Sequence, residues 1–196
     1  MGVRIIDITM PLHPSIPVWP GDPEVEFEPV SLGPGDGPRV ARIALGTHSG
    51  THVDAPRHYI PDGPSVDRLE LEHLCGQCTV VDVTGMSDEE ISQVFEQAAE
   101  PRVLMKSSNA DARLGIASAR AACSNKIVLI GTESLSIETD DGSNGIHSIL
   151  LAAGIVIVES VVLAHVTPGP YRLTVLPLPL VNMDGSPCRA ILEHTS

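Results

Sequence analysis

Aromatic side chains are scarce in this 196-residue chain, where Phe, Tyr and Trp together make up 3%. They are Trp19, Phe27, Tyr59, Phe95 and Tyr171. The interior must therefore be aliphatic, and an aromatic beside a polar cluster is a candidate for gripping a ligand. Positive charge is scarce too: 12 Lys and Arg stand against 25 Asp and Glu, a formal net charge of -13. Nucleic acid and anionic lipid both need a clustered positive field, so neither partner is expected. Four cysteines, at 75, 78, 123 and 188, are too few for a disulfide framework and point to a reducing, cytoplasmic setting. Long apolar runs are missing. The longest, residues 149–158, falls well short of the ~20 residues that cross a bilayer. The opening MGVRIIDITM lacks a long apolar stretch and a small-residue cleavage site, so no targeting segment is expected.

What is present describes a globular chain. Hydrophobic residues account for 42% and charged residues for 19%, and the length suits one domain over residues 1–196. The stretch Gly33-Pro34-Gly35-Asp36-Gly37-Pro38 reads as a surface loop. Prolines gather in the first 64 residues and again after position 168, which predicts loop-rich regions at both ends. Val- and Ile-rich runs predict strands over residues 4–9, 40–45, 79–84, 102–106, 126–130, 155–159 and 173–176. Ser87-Asp88-Glu89-Glu90 is a capping box, and Ile91, Val94, Phe95 and Ala98 behind it follow the helical stripe. Residues 112–122 and 145–153 are two further helix candidates, the second ended by Gly154. The mixture predicts an α/β domain on a mixed sheet whose strand order the pattern leaves open.

Eight histidines contrast with the dearth of rings, and three lie between positions 48 and 58. They belong to Gly46-Thr47-His48-Ser49-Gly50-Thr51-His52-Val53-Asp54-Ala55-Pro56-Arg57-His58. Two glycines and the β-branched Thr51 and Val53 disfavour a helix here. On an extended strand, residues 48, 50, 52 and 54 share a face that reads His, Gly, His, Asp. Gly50 would leave room between the imidazoles, and Pro56 would turn the chain just before His58. Two imidazoles and a carboxylate suit zinc or manganese, and three protein ligands leave a coordination position open for chemistry. The alternative is a polar strand or loop whose histidines face water. A second polar pair, His147 and Glu159, lies far along the chain. Glu159 ends an apolar strand, where a carboxylate is costly unless it is paired, bound to a metal or able to reach solvent.

Other signals are weaker. Cys75-Gly76-Gln77-Cys78 precedes strand residues rather than opening a helix, so it reads as structural thiols rather than a redox pair. His13, His73, His165 and His194 lack partners at ligand spacing, although His13 could approach the site from the N-terminal segment. Asp184-Gly185 between apolar segments reads as a hairpin turn.

The string HSGTHVDAPRH resembles the His-x-Gly-Thr-His-x-Asp-x-Pro-x-His signature of the metal-dependent cyclase family, which includes arylformamidases and, more distantly, isatin hydrolase. Further similar segments are Asp7-Ile8-Thr9-Met10-Pro11-Leu12, Trp19-Pro20-Gly21-Asp22, Cys78-Thr79-Val80-Val81-Asp82-Val83, Gly169-Pro170-Tyr171-Arg172-Leu173 and Leu176-Pro177-Leu178-Pro179-Leu180. The resemblance implies a swivelling β/β/α fold with one or two divalent ions, zinc foremost and manganese next. His48, His52 and Asp54 match the ligands of the first ion, and Asp54, His147 and Glu159 those of the second. His58 matches the catalytic histidine, a proton shuttle beside metal-activated hydroxide. The implied reaction is hydrolysis of a small amide, an N-formyl aryl amine such as N-formylkynurenine. Opening of a lactam or lactone ring, polyketide-type cyclisation and metal binding without catalysis are the alternatives. Trp19 could stack on an aromatic substrate or pack under the N-terminal loop. The resemblance also implies a homodimer or homotetramer, with the segment 173–181 as candidate interface. Two departures stand out: the segment 108–111 is short, and Gly131-Thr132-Glu133-Ser134-Leu135-Ser136 replaces a Gly-Ile-Asp-type stretch, with Glu133 in the place of the Asp.

Overall fold

Period-two alternation along the central strands sorts their aliphatic residues between two cores. The structure, a computed structural model, describes residues 2–30, 38–138 and 145–195; apart from Pro38, the loop expected over Gly33–Pro38 lies outside the described residues. The elements are β1 (Val3–Asp7), β2 (Glu26–Val30), β3 (Val40–Ala44), β4 (His52–Asp54), α1 (Leu71–Leu74), β5 (Cys75–Asp82), α2 (Asp88–Glu96) and β6 (Arg102–Lys106). There follow α3 (Ile116–Ser124), β7 (Leu129–Thr132), α4 (Ile146–Ala152), β8 (Val156–Glu159), β9 (Gly169–Pro177) and β10 (Gly185–Thr195).

Strands β5, β6, β7 and β8 are parallel neighbours, joined in turn by α2, α3 and α4. Antiparallel strands flank them: β9 beside β5, and β4 beside β8. β10 pairs with β4 and with β9, so the sheet curls round into a barrel-like closure, with β1 added on β10. One core fills the concave side, where Val53, Val80, Leu104, Leu129, Val158, Leu173 and Leu192 meet. The other lies between sheet and helices, where Val103, Met105, Ile130 and Ile157 meet Ile91, Phe95, Ala119, Ala122 and Leu150. Each fully buried aliphatic side chain of this kind contributes on the order of 1.5–3 kcal/mol. β2 and β3 pair only with each other and leave Phe27, Val30, Val40 and Ile43 exposed.

The α/β class and mixed sheet match expectation. The Ser87 capping box is present, with Ser87 Oγ accepting from Glu90 N at 3.3 Å and Glu90 Oε2 from Ser87 N at 2.8 Å. Several expectations need correction. The second helix starts at Ile116, because Asp88 takes the N–H groups of Gly115, Ala117 and Ser118 and fixes the helix start there. The strand expected from residue 126 starts at Leu129, since Lys126 adopts a left-handed φ of +59° after α3. The region after Pro168 is not loop-rich. It holds the two long strands β9 and β10, with Pro170, Pro177 and Pro187 near strand ends, where a missing donor is tolerated. The extended row over residues 48–54 is also wrong: only His52–Asp54 is strand. Residues 47–51 form a turn in which Gly50 has φ +62°, and a Cβ there would meet Leu12 Cδ2 at 2.7 Å. Gly50 thus serves the turn and the N-terminal packing, not a gap between imidazoles.

Candidate metal centre

Strand pairing brings distant residues together at the carboxyl end of β8, a location where parallel sheets commonly bind ligands. His52 on β4 is the register partner of Glu159 on β8, and Asp54 that of Gly185 on β10. The turn before β4 brings His48 back onto Asp54, with Nδ1 2.8 Å from Oδ1. A short 3-10 turn, Pro56–His58, starts with proline and presents His58, whose ring lies 4.0 Å from that of His48. His147 enters from the first turn of α4, its Nε2 3.1 Å from Glu159 Oε1 and 3.6 Å from Asp54 Oδ2. All six predicted residues therefore lie together. His48, His52, His58, His147 and Glu159 line a cavity of about 570 Å³, whose wall also includes Trp19, Tyr59, Asp22 and Asp184. His13 is exposed and does not line it.

Water is largely shut out of this cluster: Asp54 is fully buried and His52 1% exposed. Burial alone would raise the pKa of Asp54, but the close imidazoles of His147, His48 and His52 carry it well below the usual carboxylate range. Burial would likewise lower His52 and His147, yet the carboxylates Asp54 and Glu159 push them up to about 10 and about 11. His58 goes the other way: burial, reinforced by its histidine neighbours, lowers its pKa. Its imidazole is thus neutral near pH 7, while His52 and His147 hold protons in the metal-free cluster.

The donors fit a divalent cation. His52 Nδ1 donates to the Gly50 carbonyl at 2.8 Å, which turns Nε2 toward Asp54 and Glu159. Among the described residues, His52 Nε2, Asp54 Oδ2 and His147 Nδ1 are buried without a hydrogen-bond partner. Orphaned buried donors and acceptors of this kind are costly unless something binds them. One atom each from His48, His52 and Asp54 lies within 4.8 Å of the others, and the same holds for Asp54, His58 and His147. His58 is thus close enough to Asp54 and His147 to share a cation with them.

Residues 6–139 match the family described as Cyclase. The chain belongs to the cyclase family. Over 97% of its length it is 37% identical to the kynurenine formamidase of Salinibacter ruber, 98% of which is covered. A second kynurenine formamidase, from Erythrobacter litoralis, is 35% identical over 97% of this chain and 94% of its own. Among solved structures, a potential metal-dependent hydrolase with cyclase activity superposes with a TM-score of 0.85, at 27% identity and 100% coverage of both chains.

Three residues that sequence reasoning did not place at the site stand beside the candidate ligands of this cyclase-family chain. Asp184, read as a turn residue, contacts both His48 and His58. Glu138 accepts the N–H of Ile146 at 2.5 Å, and its Oε1 lies 3.2 Å from His147 Nδ1. Tyr59 stacks on His147, with rings 4.8 Å apart and 6° from parallel. Its position next to His58 was the only sequence signal for it. Glu133 ties the chain together away from the cavity, accepting from Ser107 N and Leu163 N, each at 2.8 Å. The short segment 108–111 contributes no residue to the cavity wall.

Proposed function

We propose that this chain is a metal-dependent hydrolase of N-formyl aryl amines, with N-formylkynurenine among its substrates. The carrying observation is the cavity lined by His52, His58 and His147 next to the fully buried Asp54, with His52 Nε2 and Asp54 Oδ2 left without hydrogen-bond partners. The two kynurenine formamidases, similar over nearly the full chain, support the choice of amide. His48, His52 and Asp54 would hold a first cation, and Asp54, His147 and Glu159 a second. Imidazole and carboxylate donors favour zinc, with manganese next. A cation held there would supply Lewis acidity, able to lower the pKa of water to ~7 and polarise a carbonyl oxygen.

The remaining work falls to side chains. Neutral His58 accepts a proton from the attacking water at Nε2 and returns it to the departing aryl amine. Transfer to the amine nitrogen is what lets the C–N bond break without expelling an amide anion. Trp19, which lines the cavity, would pack against the aryl ring. The burial of Asp54 and His52 keeps competing water from the inner wall. Homodimers or homotetramers are favoured by apolar surface on β9 and the loop after it, where Leu176, Leu178 and Val181 are 50–66% exposed. The exposed β2–β3 pair favours them too, since a lone two-stranded ribbon is marginal in water.

A substrate panel tests this reading. Zinc-loaded protein should release formate from formanilide and N-formylkynurenine faster than it opens an aryl lactam or lactone. A faster rate on the rings would transfer the assignment to ring hydrolysis.

A further inference from the structure

We infer that Asp184 is a positioning residue that fixes the ring orientation and tautomer of both His48 and His58; this rests on the reading of His48 as a ligand and His58 as the proton shuttle. One oxygen of Asp184 serves two histidines. Oδ2 lies 2.9 Å from His48 Nε2 and 3.3 Å from His58 Nδ1. The other oxygen, Oδ1, accepts the hydroxyl of Thr47 at 3.1 Å. A carboxylate only accepts hydrogen bonds, so His48 must present its Nε2–H to Asp184, and the 3.3 Å contact favours the form of His58 that turns an N–H toward the same oxygen. His48 is then protonated on Nε2, so the nitrogen it can turn to a bound cation is Nδ1, which in the metal-free chain shares a proton with Asp54 Oδ1 at 2.8 Å. His58 is protonated on Nδ1, which reserves the Nε2 lone pair for the reacting proton. The two rings, 4.0 Å apart and 32° from parallel, are held as one unit by this shared oxygen.

The backbone keeps Asp184 in place. Its carbonyl accepts the N–H of Ala55 at 2.9 Å, and Gly185 next to it pairs with Asp54. A Cβ on Gly185 would meet His48 Cε1 and the Val53 carbonyl oxygen, both at 2.8 Å, so the glycine is what allows His48 to approach this segment. A residue required only for a turn would need none of these three side-chain contacts. In metal sites, partners that fix the second ring nitrogen typically change affinity or activity by 10–100-fold when removed.

The test uses the full zinc-loaded chain with ¹⁵N-labelled histidine, and the variants Asp184→Ala and Asp184→Asn. Asn can turn its carbonyl oxygen to the two histidines and its NH₂ to Thr47 Oγ1, so it should keep both tautomers and rescue turnover. Ala should release His58 from the Nδ1–H form, seen as exchanged ¹⁵N shifts of its ring nitrogens at a pH where the ring is neutral. With Ala, kcat on formanilide should fall about 10–100-fold at nearly unchanged KM. An unchanged His58 tautomer in Asp184→Ala overturns the inference, as does wild-type kcat in that variant or failure of Asn to rescue. If the wild-type chain hydrolyses no formyl aryl amide, the functional reading falls instead, and the ring-nitrogen shifts still decide the role of Asp184.

Discussion

Loading the site with a cation must displace protons. In the metal-free chain burial works to lower the pKa values of His52 and His147, but Asp54 and Glu159 push them up to about 10 and about 11. At pH 7 both imidazoles therefore carry a proton where a cation would bind. One pKa unit corresponds to about 1.4 kcal/mol, so freeing His52 at neutral pH costs about 4 kcal/mol and freeing His147 about 5 kcal/mol. Apparent affinity should then rise about tenfold per pH unit for each proton released. Zinc titration calorimetry at neutral pH, in buffers of different ionisation enthalpy, reads the proton count as a slope. We expect the fully loaded chain to release two protons, and Asp54→Asn to release fewer because its histidines return toward ordinary values. A slope of zero, or an affinity that falls as pH rises from about 6 to about 8, would refute the electrostatic reasoning.

Four further outcomes follow from the same contacts. The metal-free chain should lose stability as pH rises. The ion pairs of His52 stabilise fully below its unfolded pKa of 6.5 and are lost as pH approaches about 10, so the urea midpoint should fall across that window. Asp54 behaves in the opposite sense, stabilising above 3.8 and losing that contribution as acid protonates it, which adds an acid limb to the same titration. Gly185→Ala should destabilise the chain by roughly 1–3 kcal/mol in thermal melts and weaken zinc uptake, because the new methyl meets His48 and the Val53 carbonyl. Asp88→Ala should cost about 1–2 kcal/mol by uncapping α3 while leaving kcat unchanged, which separates fold from chemistry.

The residue types of the site were legible in the sequence, but its geometry was not. His48, His52, Asp54 and His58 are close together in the chain, so a local motif exposes them. Period two along β6 sends Leu104 to one core and Val103 to the other. It says nothing about which strand lies beside which, and the β4–β8 pairing that joins His52 to Glu159 spans more than a hundred residues. The expected four-residue row failed because the positive φ of Gly50 turns the chain before β4 begins. Even so, His48 reaches Asp54 across the turn, so the same ligand types meet by another route. Asp184 was hidden because Asp-Gly is also a common turn pair, and the β9–β10 hairpin does turn just before it. Glu138 carried no motif, since its part depends on where α4 starts.

Removing His58 alone tests the central claim most directly. Purified zinc-loaded His58→Ala should be assayed for formate release from N-formylkynurenine, with zinc content measured on the same sample. The account predicts zinc at wild-type stoichiometry and turnover reduced by about 10²–10⁴-fold, the usual contribution of a positioned acid–base group. Wild-type turnover in the variant would contradict the shuttle, and loss of zinc together with activity would make His58 a ligand instead.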